Sequence, residues 1–280
     1  MTTSDGFAYA KYSPDVKLSR FVICYYVFEA NLNEIKIIQS PPTGYSAFIF
    51  NLKDSYEICS GVDNQFTVSP AVALVGQQTK NYQLKLSGHT EQIGIVFKPA
   101  AIGTLFNFSL KGIVDLRIEL EKVIGESSSR LLYNKMKNDE GIEYRLGLLH
   151  SFLLEAMEGY ERRLNVADLA SDMILKNKGN ITIEQLINSL RVSRRYLERK
   201  FTEKIGLTPK QYCRIVRMGH ISNIVANHEK IDWQDVVFKG GFHDQNHFIK
   251  DFKSLNTLSP TRYHKEHTEL IRLLNVTKKS

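Results

Sequence analysis

Two clusters of side chains stand out as able to do chemistry. The first is Arg194, Arg195, Glu198 and Arg199; the second is Gln245, Asn246, His247 and Lys250. Arginine and lysine donate to phosphate oxygens and to guanine edges, asparagine and glutamine pair with adenine, and glutamate accepts from cytosine. Each cluster has a spacing that gathers its members on one side of a helix, where residues three and four apart are neighbours. A single charged helix face is also what any solvated surface helix presents. The two clusters therefore matter only if they occupy equivalent places in equivalent structures.

An internal repeat supplies that equivalence. Leu197 corresponds to Phe248, Phe201 to Phe252, Leu207 to Leu258, Pro209 to Pro260 and Tyr212 to Tyr263, each pair 51 positions apart. Upstream, Leu186 corresponds to Val236 and Val192 to Phe242 at a spacing of 50, so the second copy has one extra residue in its turn. Repeats of this kind mean repeated structural units.

Each copy predicts two helices. Thr182 opens the first with Gln185 three residues on, the pattern of a capping box, and that helix runs to about Ser189. A tight turn at Leu190–Val192 follows, and Ser193 caps a second helix over Arg194–Ile205. In the second copy Asp232 caps the first helix, Gly240 and Gly241 make the turn, and His243 or Asp244 opens a helix through Leu255. Leu197 and Phe201, like Phe248 and Phe252, are four apart and bury one face, which leaves the polar clusters on the other. Two short helices joined by such a turn make a helix-turn-helix. Thr208, Pro209 and Gln211 start a further helix to about Asn227, roughly 27 Å long at ~1.5 Å per residue. A spacer of that length suits two recognition helices one DNA turn, roughly 34 Å, apart.

On these residues, 162–267 resembles the DNA-binding domain of the AraC/XylS family of transcription regulators. The match lies in Leu186, Ser193, Leu197 and Phe201, then Ile205 to Pro209 and Tyr212. It continues in Gly241, Phe242, Asp244, His247, Phe248, Phe252, Lys253, Leu258 to Pro260 and Tyr263. The resemblance implies two helix-turn-helix units on one long helix, with bases met by Arg195, Glu198 and Arg199 in one groove and Arg194 beside them on the DNA-binding face. Gln245, Asn246, His247 and Lys250 meet bases in the next groove. Departures are Ile187 and Val237 where the family usually has alanine, which should push the helices slightly apart or be offset by smaller neighbours, and Arg191 and Thr257 where it often has glycine. Double-stranded DNA is the partner implied. RNA polymerase, a small-molecule effector and a second copy of the chain are further partners that the sequence leaves open.

Charge divides the chain in the same sense. Residues 1–160 carry a net −2 and residues 161–280 a net +9, so all the excess positive charge lies beside the repeat, as a polyanion partner requires. Cys24, Cys59 and Cys213 have no paired spacing, which predicts free buried thiols in a reducing cytoplasm. No signal-peptide pattern and no apolar run long enough to span a membrane is visible.

The first hundred residues read as strands: Arg20–Phe28, Tyr45–Leu52, Ser55–Ser60, Asn81–Leu86 and Gln92–Lys98, punctuated at Pro41–Gly44, Ser60-Gly61 and Ser87-Gly88. Helices are predicted over Ala100–Phe108, Arg117–Ile124, Ser127–Lys137 and Ile142–Tyr160. The last carries a Leu146, Leu149, Leu153 and Leu154 stripe for the sheet or for a second copy. The expected fold class is α+β. It comprises a sandwich or barrel-like β-rich domain with trailing helices (1–160), an all-α double helix-turn-helix domain (161–270) and a tail (271–280). The units are expected to be joined near Gly159–Arg163 by a nearly continuous helical segment. The N-terminal pattern resembles a sensor-like domain often fused to AraC-type units, and Tyr25, Tyr45 and Phe97 are its candidate pocket residues.

An enzyme is the rival class. A metal-dependent barrel would need clustered histidines and carboxylates, yet His89 and His150 fall in different elements. His243 and His247 are four apart but lack the glutamate of a metalloprotease helix. Neither a metal nor a cofactor is expected. A further alternative is a protein-interaction module that has lost specific DNA binding.

Overall fold

A computed structural model describes residues 2–4, 6–59, 65–138, 140–158, 165–228 and 230–266. Nine strands form one antiparallel sheet among these residues: β1 (Thr2–Ser4), β2 (Phe7–Tyr12), β3 (Val22–Ser40), β4 (Ser46–Asn51), β5 (Glu57–Cys59), β6 (Thr67–Val68), β7 (Val72–Val75), β8 (Tyr82–Phe97) and β9 (Arg117–Glu119). The order is β1-β2-β3-β8-β4-β7-β9, with β5 added to β8 and β6 to β5. Four helices follow or interrupt the last strands: α1 (Ala101–Leu105), α2 (Glu121–Ile124), α3 (Glu126–Lys137) and α4 (Gly141–Glu158). The fold is α+β, with this β-rich part followed by helices alone.

The long strands β3 and β8 form the spine, paired from Val22 with Phe97 to Ser40 with Tyr82. Successive side chains on a strand point to opposite faces, and the spine uses both. Tyr25, Val27, Phe48, Phe50, Ile93, Ile95 and Phe97 point to one face and bury against Leu132 and Met136 of α3 and Leu149 and Leu153 of α4. The leucine stripe of α4 is thus covered by the sheet. Each such side chain contributes about 1.5–3 kcal/mol on leaving water, which fixes the register, since a one-residue slip would expose the whole set.

Three local expectations are corrected. Ser87-Gly88 does not end a strand: β8 runs through it, and Gly88 takes φ +66° close to where the β3–β8 register shifts between Leu32 and Lys36. Arg117–Ile124 is not all helix. Arg117 to Glu119 pair with Val75 to Ala73 instead, so their backbone groups are satisfied by the sheet and only Glu121–Ile124 is helical. The joint between the two parts is not one continuing helix. Asn165 has extended backbone and accepts from the N–H groups of Ala167 and Asp168, so a fresh helix starts there. The expected boundary at 159–163, the Ser60-Gly61 turn and the tail at 271–280 lie outside the described residues.

One buried ion pair fastens α4 to the sheet. The Arg145 guanidinium meets the Glu91 carboxylate of β8, both almost wholly buried, and its Nε donates to the Met136 carbonyl at 2.9 Å. Removing one partner strands a charge in a low-dielectric interior. Arg145→Leu should therefore cost about 3 kcal/mol in urea unfolding, and adding Glu91→Leu should restore most of the loss. A double variant no more stable than the single one would contradict this account of the pair.

Candidate nucleic-acid interface

The C-terminal helices are α5 (Val166–Lys176), α6 (Ile183–Leu190), α7 (Arg194–Ile205), α8 (Pro209–Asn227), α9 (Trp233–Lys239), α10 (Gln245–Asn256) and α11 (Pro260–Glu266). Their ends are set by the predicted side chains. Thr182 accepts from the Gln185 N–H at 3.1 Å while Gln185 accepts from the Thr182 N–H at 2.8 Å. Thr208 and Gln211 repeat the box at α8, Ser193 caps α7 and Asp244 caps α10 through the His247 N–H at 2.8 Å. Such caps satisfy amide groups that the first turn leaves without partners.

The repeat is structural as well as sequential. Leu197 and Phe201 of α7 and Phe248 and Phe252 of α10 are all buried in one apolar core. Phe201 and Tyr212 have ring centroids 5.6 Å apart, and their counterparts Phe252 and Tyr263 lie 5.2 Å apart. Ile187 and Val237, the branched residues of the two first helices, pack half-buried against this core, and the second unit is docked on it.

On the opposite faces, Arg194, Arg195, Arg199, Gln245, Asn246, His247 and Lys250 are exposed and Glu198 is half-buried. The fold brings each cluster to one face of its helix, α7 for the first and α10 for the second. Arg194 Nε lies 3.0 Å from Glu198 Oε1, so these two hold each other. Among the described residues, Arg195 and Arg199 are left as the arginines of α7 outside any ion pair. The Arg199 guanidinium lies over the Tyr196 ring at 5.5 Å, and the His247 ring meets Phe242 edge-on at 5.4 Å.

Two groups of residues escaped the sequence reading. Asp251 of α10 accepts from Arg214 of α8 at 2.6 Å and lies 3.8 Å from Arg217. Arg217 also lies over the Phe242 ring at 4.7 Å, so one helix holds the second unit by charge and by stacking. The first partnership spans 37 residues, which no local spacing could reveal. The second group joins the sheet to the helices. Leu110 N donates to the Glu203 carbonyl at 2.9 Å, and Asn81 N donates to the Leu255 carbonyl at 2.7 Å. Both α7 and α10 therefore have a last-turn carbonyl satisfied by backbone of the β-rich part. Close approach matters here: a Cβ on Gly103 of α1 would sit 2.8 Å from the Lys204 carbonyl, and Lys204 Nζ donates to the Gly103 carbonyl at 2.7 Å.

A family model described as a helix-turn-helix domain matches residues 186–266. A second, described as a domain of unknown function (DUF6597), matches residues 10–119. The C-terminal unit is an AraC-type helix-turn-helix domain. The chain is 30% identical to the lactose operon transcription activator of Staphylococcus xylosus over 95 residues, 34% of each protein. It is 27% identical to an uncharacterized HTH-type transcriptional regulator of Haemophilus influenzae over 118 residues, 42% of this chain and 38% of that one. The chain thus spans little more than a third of the length of these curated relatives. Among solved structures, ToxT from Vibrio cholerae aligns over 86% of this chain and 97% of its own, at 12% identity and a TM-score of 0.47. No described helix is long and apolar enough to cross a membrane.

Between the sheet and the AraC-type unit lies a cavity of about 510 Å³. Tyr45 lines it. Tyr25 and Phe97 do not: they sit in the core under α3 and α4, and their strand neighbours Cys24, Tyr26 and Val96 point into the cavity instead. The period of two along a strand decides this, and the sequence did not say which face was which. Gly94 makes room on the cavity face, since a Cβ there would lie 2.3 Å from the Tyr26 ring.

The left-handed turns mark where the repeat departs from glycine. Arg191 has φ +53° and Thr257 φ +63°. Side chains cost about 1 kcal/mol in that conformation. Arg191→Gly and Thr257→Gly should each raise stability by about 0.5–1 kcal/mol in chemical denaturation, the larger gain falling to the β-branched Thr257. A loss of stability in both would mean that these turns are held by contacts of the side chains themselves.

Proposed function

We propose that this chain is a sequence-specific, DNA-binding transcription regulator that reads two successive major grooves. Two exposed polar surfaces, on α7 and α10, carried by one core and spaced by α8, support that reading most directly. The 19-residue α8 is roughly 28 Å long at ~1.5 Å per residue, close to one DNA turn. Arg195, Arg199, Asn246, His247 and Lys250 are the side chains free to meet base edges and phosphates. Gln245 stands at the first turn of α10, where helix amides also favour phosphate. Arg194 and Glu198 act as a pair, in which Glu198 sets how far Arg194 can reach.

Lysine and arginine contacts to phosphate supply salt-sensitive affinity, and the two faces supply sequence choice. The β-rich part, roughly 1–160, modulates the AraC-type unit, roughly 161–270. Its hydrogen bonds to the last turns of α7 and α10 tie the placement of both reading helices to its own position. In this reading the chain has no catalytic role and works in the cytoplasm. RNA polymerase and a second copy of the chain are partners such a regulator would use.

Arg199→Ala should weaken binding to the preferred site by roughly 1–3 kcal/mol and relax selectivity at one base position. Equal weakening on every sequence, with a smaller salt slope, would assign Arg199 to phosphate alone. Electrophoretic mobility titrations on preferred and scrambled duplexes at two salt concentrations separate the two results.

A further inference from the structure

The structure assigns a positioning role to Tyr196: its ring seats the Arg199 guanidinium, so that Arg199 meets one guanine rather than sweeping across several bases. The assignment rests on the DNA-binding reading above and names a specificity-determining residue within it. Core packing does not account for Tyr196. It is 41% exposed in the first turn of α7, while Leu197 and Phe201 are wholly buried in the apolar core. Capping does not account for it either, because only its backbone N–H takes part, donating to Ser193 Oγ at 3.3 Å.

A lone exposed ring is ordinary on a protein surface, and two further observations single this one out. Tyr196 lies 51 positions before His247 and Arg199 lies 51 before Lys250, the spacing of the repeat. His247 and Lys250 stand on the exposed face of α10, so Tyr196 belongs to the corresponding face of α7, beside Arg195 and Arg199. The second observation is the contact itself, with the Arg199 guanidinium over the Tyr196 ring at 5.5 Å. Helix side chains lean toward the N-terminus, which carries a residue three positions on over the ring.

The three arginines of α7 are held in three different ways. Arg194 is held by carboxylates, Glu198 at 3.0 Å and Glu184 of α6 at 3.9 Å. Arg195 has neither an ion pair nor a ring contact among the described residues. Arg199 is held by a ring and by no ion pair. A carboxylate occupies the N–H donors of a guanidinium, whereas a ring engages its face and leaves the in-plane donors available. Those donors match the O6 and N7 acceptors of guanine. Seating a long side chain before it binds also reduces the ordering cost of binding. A cation over an exposed ring shifts its population by about two- to fivefold, and that is the share of selectivity assigned to Tyr196.

The test compares the full chain with Tyr196→Leu, Tyr196→Phe, Arg199→Ala and the double variant Tyr196→Leu with Arg199→Ala. In NMR spectra of the free chain, the Arg199 Cδ protons, identified by their loss in Arg199→Ala, should be shifted upfield by the ring. The shift should persist in Tyr196→Phe and vanish in Tyr196→Leu. On duplex DNA, Arg199→Ala identifies the base pair that Arg199 reads. Tyr196→Leu should lower discrimination at that pair about two- to fivefold, with the salt slope and discrimination elsewhere unchanged. Tyr196→Phe should retain the discrimination, and Tyr196→Leu should have no further effect once Arg199 is alanine. The proposal is overturned by an absent upfield shift, by equal weakening on every sequence in either single variant, or by lost discrimination in Tyr196→Phe. A Tyr196→Leu effect that survives without Arg199 overturns it too. An upfield shift in a chain with no sequence-selective binding would instead sink the DNA-binding reading, and with it the use of this seat.

Discussion

Phe201 against Tyr212 and Phe252 against Tyr263 are the contacts on which the rest of the helical unit depends. Each pair buries the inner face of α7 or α10 in the core that α8 shares with its neighbours. That burial turns the polar face outward, because in a helix the residues three and four apart share a side. With Leu197 and Phe248 one turn earlier, the rotation of α7 and α10 about their axes is set to within a residue. A shift of one position would turn Lys200 or Lys253 inward and expose an aromatic ring. The aliphatic residues of α8, Ile215, Met218, Ile221 and Val225, extend this core from the first unit to the second.

The β-rich part answers a different constraint. Its sheet buries residues on both faces, one under α3 and α4 and one toward the cavity, so Ala47–Phe50 of β4 and Ile93–Phe97 of β8 read as apolar runs. Strands buried on two sides lose the alternation that would tell inside from outside. This is why Tyr25, Tyr45 and Phe97 looked alike in sequence, yet only Tyr45 reaches the cavity. Five further strands, β1, β2, β6, β7 and β9, were hidden for another reason. Each is short, and β9 lies in a stretch whose composition suits a helix.

In the AraC-type unit, by contrast, the boundaries of α6 to α10 were legible, and those of α5 and α11 were not. Capping side chains act over three residues, so Thr182, Ser193, Thr208, Asp232 and Asp244 announce their helices locally. The exposed polar faces of α7 and α10 were legible for the same reason, since the residues of each share one helix. What stayed hidden was long-range: the Arg214–Asp251 contact and the Leu110 and Asn81 bonds to α7 and α10. These pairs sit on different elements, and only the packing of those elements brings them together.

The claim that both helix-turn-helix units read DNA in successive grooves is tested most directly by selecting bound duplexes from a random pool and sequencing them. Two short preferred blocks about one helical turn apart are predicted, with affinity lost when half a turn is inserted between them. A single block, or two blocks whose spacing can be changed freely, would contradict the account.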